Sequence, residues 1–273
     1  MAKHRFAIAV GALILIALYA GLVPWIAGVD DRVTDFAQAR MAPSLAHPFG
    51  TDSAGRDLFV RVAAGIRTSL LIALACALLS TVIGVAVGTT AGLLGGWVDR
   101  FVMRGTDAVN ALPHLLLGIV IVAMFRGSIL AIVLSIALTH WTQVARIIRG
   151  EILNLRDRPY IDAAVLAGAS RRHVITRHLV PAAAPQALIA VVLLLPHAVW
   201  HESTLSFLGF GLPPHKPSLG TLLEEARSSL LLGGWWTLVF PAAVLVITTI
   251  AVAVAGSALR STLAPPRPSE LRL

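Results

Sequence analysis

From Phe6 to Gly28 the chain runs without a single charged side chain, and this run is long enough to cross a bilayer as one helix. Five further apolar stretches follow, at Ile66–Leu94, Ala108–Phe125, Ile129–Ile147, Ala187–Gly209 and Trp235–Leu259. In hydrocarbon a spanning segment must satisfy its backbone N–H and C=O groups internally, and a helix does so within one segment. The expected fold is therefore an all-α membrane protein with about six transmembrane helices. Composition agrees: 57% of residues are hydrophobic and 13% charged, against about a quarter charged in soluble chains. The first run follows Lys3 and Arg5 as a signal peptide would. It is longer than an h-region and no small-residue cleavage site follows, so an uncleaved span is expected.

A formal charge of +8 could point to nucleic acid, but the basic residues are scattered between apolar runs with no aromatic-interleaved patch. They read better as loop anchors. With six spans and both termini in the cytoplasm, fourteen of the 22 Lys and Arg fall on cytoplasmic segments and seven on outer ones, with Arg67 at a boundary. That is the direction of the positive-inside bias. The chain then divides into an N-terminal span (1–28), an external segment (29–65), a core of five spans (66–260) with a cytoplasmic loop at 149–181, and a proline-rich cytoplasmic tail (261–273). Cys76 is the only cysteine, so there is no disulfide framework and no Cys-based metal site.

The loop is the most polar interruption. Pro159–Pro181 reads PYIDAAVLAGASRRHVITRHLVP. Tyr160, Ala163, Ala164 and Ala167 recur at helical spacing, with Asp162 in the first turn, where a carboxylate suits the helix dipole. Gly168 interrupts the pattern, Ala169–Leu179 resumes it, and Pro181 is expected to stop the second helix. This segment resembles the EAA loop of ABC-importer permeases: Asp162-Ala163-Ala164, Gly168 and Val180-Pro181 fall at the family spacing, with Asp for Glu at 162 and Val for Leu at 180. Two more stretches resemble the dipeptide, oligopeptide and nickel branch of that family. They are GTDSAGRD at Gly50–Asp57 and SFLGFG at Ser206–Gly211, the latter followed by a proline-containing external loop. The resemblance implies an ABC-importer permease (MetI-like) fold in a bacterial inner membrane. It also implies a second homologous permease chain, two ABC ATPase subunits and an external solute-binding protein. Asp162, Ala163, Ala164, Gly168 and Pro181 would then form the ATPase-coupling knob. The cargo would be peptides, nickel or metal–chelator complexes.

The chain has no Gly-x-x-x-x-Gly-Lys-Ser/Thr loop. It is not expected to be an enzyme or to bind a cofactor; ATP and Mg would sit on partner ATPases. GTDSAGRD reads equally as a capped entry into the second span or as a cargo contact. The costliest groups lie on the fifth span, where His197, His201 and Glu202 interrupt an apolar helix. The histidines are one turn apart and Glu202 is adjacent, a candidate cargo path. Metal ligation is one reading of that spacing, and hydrogen bonding between helices beside a wet pore is the other. The order His197-Ala-Val-Trp-His201-Glu202 does not match the His-Glu-x-x-His of a metalloprotease. An ion-coupled secondary carrier would need inverted repeats, which the chain does not display.

Overall fold

The structure, a computed structural model, describes residues 2–27, 33–213 and 215–263; the start of the external segment and the tail from residue 264 lie outside the described residues. Among the described residues all regular elements are helices: α1 (Ala2–Ile26), α2 (Leu58–Leu94), α3 (Gly96–Ala111), α4 (His114–Met124), α5 (Ile129–Arg156), α6 (Pro159–Leu166), α7 (Arg171–Val174), α8 (Val180–Phe207), α9 (Leu219–Leu230) and α10 (Trp236–Leu263). A 3₁₀ turn covers Phe36–Gln38 and a π-helical turn Ile175–Leu179. Five helices are long and apolar enough to cross a membrane, and α3 with α4 makes a sixth if that bent pair is counted as one span.

The third span departs from expectation. In place of one helix over Ala108–Phe125, the chain breaks at Leu112-Pro113, and α3 and α4 meet at 81°. Pro113 has no N–H and crowds the residue before it, which leaves Leu112 extended at φ −79° and ψ 137°. The second span also starts earlier than expected. Asp57 caps α2, accepting from the N–H of Phe59 at 2.8 Å and of Val60 at 3.2 Å, so the helix begins inside the segment read as external. Its 37 residues make a rod of about 55 Å, well beyond the hydrocarbon thickness.

α2 and α5 form the centre of the bundle and approach closely along Gly84, Gly88 and Gly92. A methyl group at these positions would meet Val144, the carbonyl oxygen of Ala145 and Ile152 respectively. Small residues at four-residue spacing permit this approach where lipid supplies no hydrophobic drive between helices. At Gly88 the obstacle is backbone and cannot swing aside. Gly88→Ala is expected to destabilise the fold by about 1–3 kcal/mol, read as a lower midpoint of thermal unfolding in detergent.

The buried core has two parts. One joins Val62, Ile66, Ile132, Ile136, Val199 and Leu205 with Leu219 and Leu222 of α9. The other joins Val144, Ile148 and Ile152 with Ile161, Val174 and Leu179, and so seats α6 and α7 against the opposite end of the bundle. α1 lies at the periphery. Its Tyr19 ring packs on Phe59 at 4.8 Å and its hydroxyl donates to the Phe59 carbonyl at 2.7 Å.

Candidate functional site

Pro159 opens α6 in the first turn, where its missing N–H is no loss. Ile161 points inward into the core formed with Ile152 and Leu179. Tyr160, Asp162, Ala163 and Val165 are exposed, and Leu166 is 88% exposed. The helix ends where Gly168 adopts φ +86°. The N–H of Gly168 donates to the carbonyl of Val165 at 2.9 Å and that of Ala169 to Ala164 at 3.0 Å, the paired bonds of a Schellman cap. Ser170 then begins α7, with its hydroxyl accepting from the His173 N–H at 3.3 Å. Val174 and Leu179 are buried, so the knob is held from both of its arms. Leu93, Ile161, Val174 and Leu179 line an apolar groove of about 290 Å³ beneath it.

Pro181 does not stop a helix. It is exposed in the first turn of α8, and a single helical run extends from Arg172 to Phe207. The π-helical turn at Ile175–Leu179 widens the backbone just before the proline, and a single π turn is a common way for a helix to absorb a local irregularity.

The three fifth-span residues do not form one cluster. Consecutive helical residues diverge by about 100°, and Glu202 turns away from both histidines. Its side chain has 0% exposure. It accepts from the hydroxyls of Ser69 at 2.8 Å and Ser206 at 2.9 Å, with Ser203 at 3.4 Å. Ser69 in turn accepts from the N–H of Leu219 at 3.1 Å, so this one carboxylate ties α8, α2 and the start of α9 together. His201 instead packs against His140 of α5, ring centres 4.7 Å apart, and His140 lies 5.4 Å from His114 of α4. His140 Nδ1 lies 3.0 Å from the carbonyl of Ile136 and 2.9 Å from the Thr139 hydroxyl. His197 is exposed and shares a groove of about 330 Å³ with Gln143, Gln186 and Arg260. Among the described residues no group of three or more His, Cys, Asp or Glu side chains is arranged to hold a metal ion.

At the other end of the bundle GTDSAGRD builds a clasp. Asp52 Oδ1 accepts from the N–H groups of Ala54 and Arg56, and its Oδ2 accepts from Arg56 Nε at 2.7 Å and Arg61 Nη1 at 2.6 Å. Arg61 is 1% exposed and also reaches Glu225 of α9, with Nη1 on Oε2 at 2.6 Å and Nη2 on Oε1 at 3.1 Å. Arg56 Nη2 adds a bond to Glu225 at 3.1 Å. Asp57, besides capping α2, receives His47 Nδ1 at 2.8 Å. The motif is therefore engaged in holding α2 to α9. Arg61 and Glu225 were invisible as a pair in the sequence because 164 residues separate them.

Comparison with known proteins places these features in context. Residues 84–265 match the family model described as the binding-protein-dependent transport system inner membrane component. The chain is 40% identical over 255 residues to the oligopeptide transport system permease protein OppC of Escherichia coli K12, covering 93% of this chain and 84% of that one. Two solved structures share the fold. An amino acid ABC transporter with histidines matches at TM-score 0.53 and 16% identity, covering 74% of this chain and 94% of that chain. The MetNI methionine ABC transporter in an inward-facing conformation matches at TM-score 0.51 and 17% identity, covering 74% and 97%.

Proposed function

The chain belongs to the inner-membrane permease components of binding-protein-dependent ABC importers, within the peptide-transport group, and from that premise we propose that it forms half of a peptide translocation path driven by ATPases docked on α6. The observation that carries this reading is the outward face of α6. It sets Leu166 in the open with Ala163 and Asp162, on a helix whose other face carries Ile161 into the bundle. An apolar face of this kind on a polar loop fits the groove of a soluble partner better than it fits water. The second arm of the knob, α7, continues without a break into α8, so force passed from α6 across the Gly168 turn reaches a membrane helix. In this reading both termini are cytoplasmic. A second homologous permease completes the path, two ATPase subunits hold ATP and Mg, and an external binding protein delivers cargo.

The cargo we propose is a peptide, as the name of the OppC relative says of that protein. His114 and His201, which flank the buried His140, with His197 on the neighbouring groove, are the polar groups proposed to face the path, and Glu202 holds helices together instead. Nickel and metal–chelate cargo lose the support of the His197, His201 and Glu202 spacing, because Glu202 lies in a serine pocket away from the rings.

Copurification tests the docking claim. The wild-type chain in mild detergent is expected to bring down ATPase subunits. Leu166→Asp, which alters an exposed position only, is expected to lose them at unchanged yield of folded permease. Retention of the ATPases by that variant would remove α6 as their seat. Sidedness is tested in a Cys76→Ala background with an impermeant thiol reagent: Ser170→Cys should react from the cytoplasm and Ser228→Cys from outside. Both positions are exposed, and the reverse pattern would overturn the orientation.

A further inference from the structure

α3 has two opposed faces. The inward one is engaged with α5: Asp99 pairs with Arg149, Asp107 with Arg146 at 2.7 Å, and Asn110 accepts from the Thr142 hydroxyl at 2.7 Å, while Thr106 is fully buried. The outward face is built differently. Trp97 and Phe101 are 70% and 68% exposed, and their rings stack at 5.6 Å with 20° between planes. Arg100 and Arg104 are exposed on the same stripe, since positions 97, 100, 101 and 104 recur at helical spacing. Arg100 Nε donates to the Gly96 carbonyl at 3.2 Å. Among the described residues neither guanidinium has a carboxylate within ion-pair distance. Asp107 borders the stripe but is paired with Arg146, and Asp99 with Arg149, so neither carboxylate neutralises Arg100 or Arg104 and the stripe presents two large rings and two cations without an ion-pair partner.

α3 meets α4 at 81° and lies at the end of the bundle that carries α6, where Arg156 reaches the Gly92 carbonyl just before α3 begins. A helix with rings and guanidiniums on one unpartnered stripe suits a membrane interface, with the rings among acyl chains and the cations at headgroup phosphates. We propose that the outward stripe of α3 is a binding site for anionic phospholipid, with Arg100 and Arg104 holding the phosphate and Trp97 and Phe101 the adjoining chain. The carboxylates nearest the stripe are already paired with arginines of α5, and this decides between lipids. A zwitterionic headgroup would bring an ammonium with nothing to pair it, whereas a phosphatidylglycerol-type headgroup brings only the phosphate charge.

The test uses the assembled importer in vesicles and reads Trp97 fluorescence as the difference between wild type and Trp97→Phe. Brominated phosphatidylglycerol, or brominated phosphatidylcholine at the same mole fraction, serves as quencher. The anionic quencher is expected to act at a lower mole fraction, by roughly fivefold for each arginine. In the Arg100→Gln/Arg104→Gln double variant the two lipids should quench equally. Equal quenching in the wild type would overturn the anionic preference. Failure of both lipids to quench would show the stripe covered by protein, such as a second permease chain, and would overturn the lipid site altogether.

Discussion

Arg61→Ala is expected to lower the stability of the folded permease by about 3–5 kcal/mol, the usual effect of removing one partner from a buried ionic network. Asp52 is 4% exposed and would keep Arg56, but Glu225 would lose two of its three guanidinium bonds. The loss should be concentrated at the α9 end of the bundle. Hydrogen exchange in α9 and in the first turns of α2 should speed up well before that in α5. Arg61→Lys should recover only part of the loss, because one ammonium cannot span both carboxylates as a planar guanidinium does. A double-mutant cycle with Glu225→Gln separates the pair from the packing of the arginine stem. Thermal unfolding within about 1 kcal/mol of wild type for Arg61→Ala would mean that water enters the clasp and replaces the side chain.

Gly168→Val should abolish coupled uptake while leaving the protein in the membrane. No atom lies within 4 Å of a Cβ at this position, so the obstacle is the backbone conformation and not space. A β-branched residue at φ +86° is strained by about 1–2 kcal/mol, and the chain escapes by opening the Schellman bonds. That would swing Leu166 and Val165 away from their fixed place relative to α8. Peptide-stimulated ATP hydrolysis by reconstituted importer should fall by an order of magnitude or more, to be measured beside uptake. Gly168→Asn is the control, since asparagine enters the left-handed region more readily; it should retain most of the activity. Full uptake by the valine variant would dissociate the knob geometry from transport.

How much of this was legible in the sequence depends on how far apart the interacting residues lie. Spans were readable because hydropathy is a local property, and so was the cap at Asp57, whose bonds reach two and three residues ahead. Gly84, Gly88 and Gly92 stand at four-residue spacing, a pattern that permits close helix contact without naming the partner helix. Pro113 and Pro181 show the limit of a local rule. Both are prolines beside apolar helices, yet one breaks a span and the other follows a π turn within a continuous helical run. Glu202 was legible as a costly buried group, but its direction was not: adjacency in sequence suggested the histidines, and helical geometry gave it to Ser69 and Ser206. The clasp of Arg61 with Glu225 and the outward stripe of α3 depend on tertiary neighbours, and no window along the chain contains them.

The run from Arg172 to Phe207 is 36 residues long, a shaft of about 54 Å. One end is the knob and the other is pinned through Glu202 to α2 and α9. A tilt of about 5° at the knob would displace the far end by roughly 5 Å, since a helix transmits rotation along its length. Its irregular points are the π turn at Ile175–Leu179 near the knob and, further along, Pro185 and Pro196, each of which removes one backbone hydrogen bond. Under the proposed coupling, movement at the far end is set by lever geometry and by these joints, and substituting Pro185 or Pro196 should change the ratio of uptake to ATP hydrolysis without altering the docking face or the cargo.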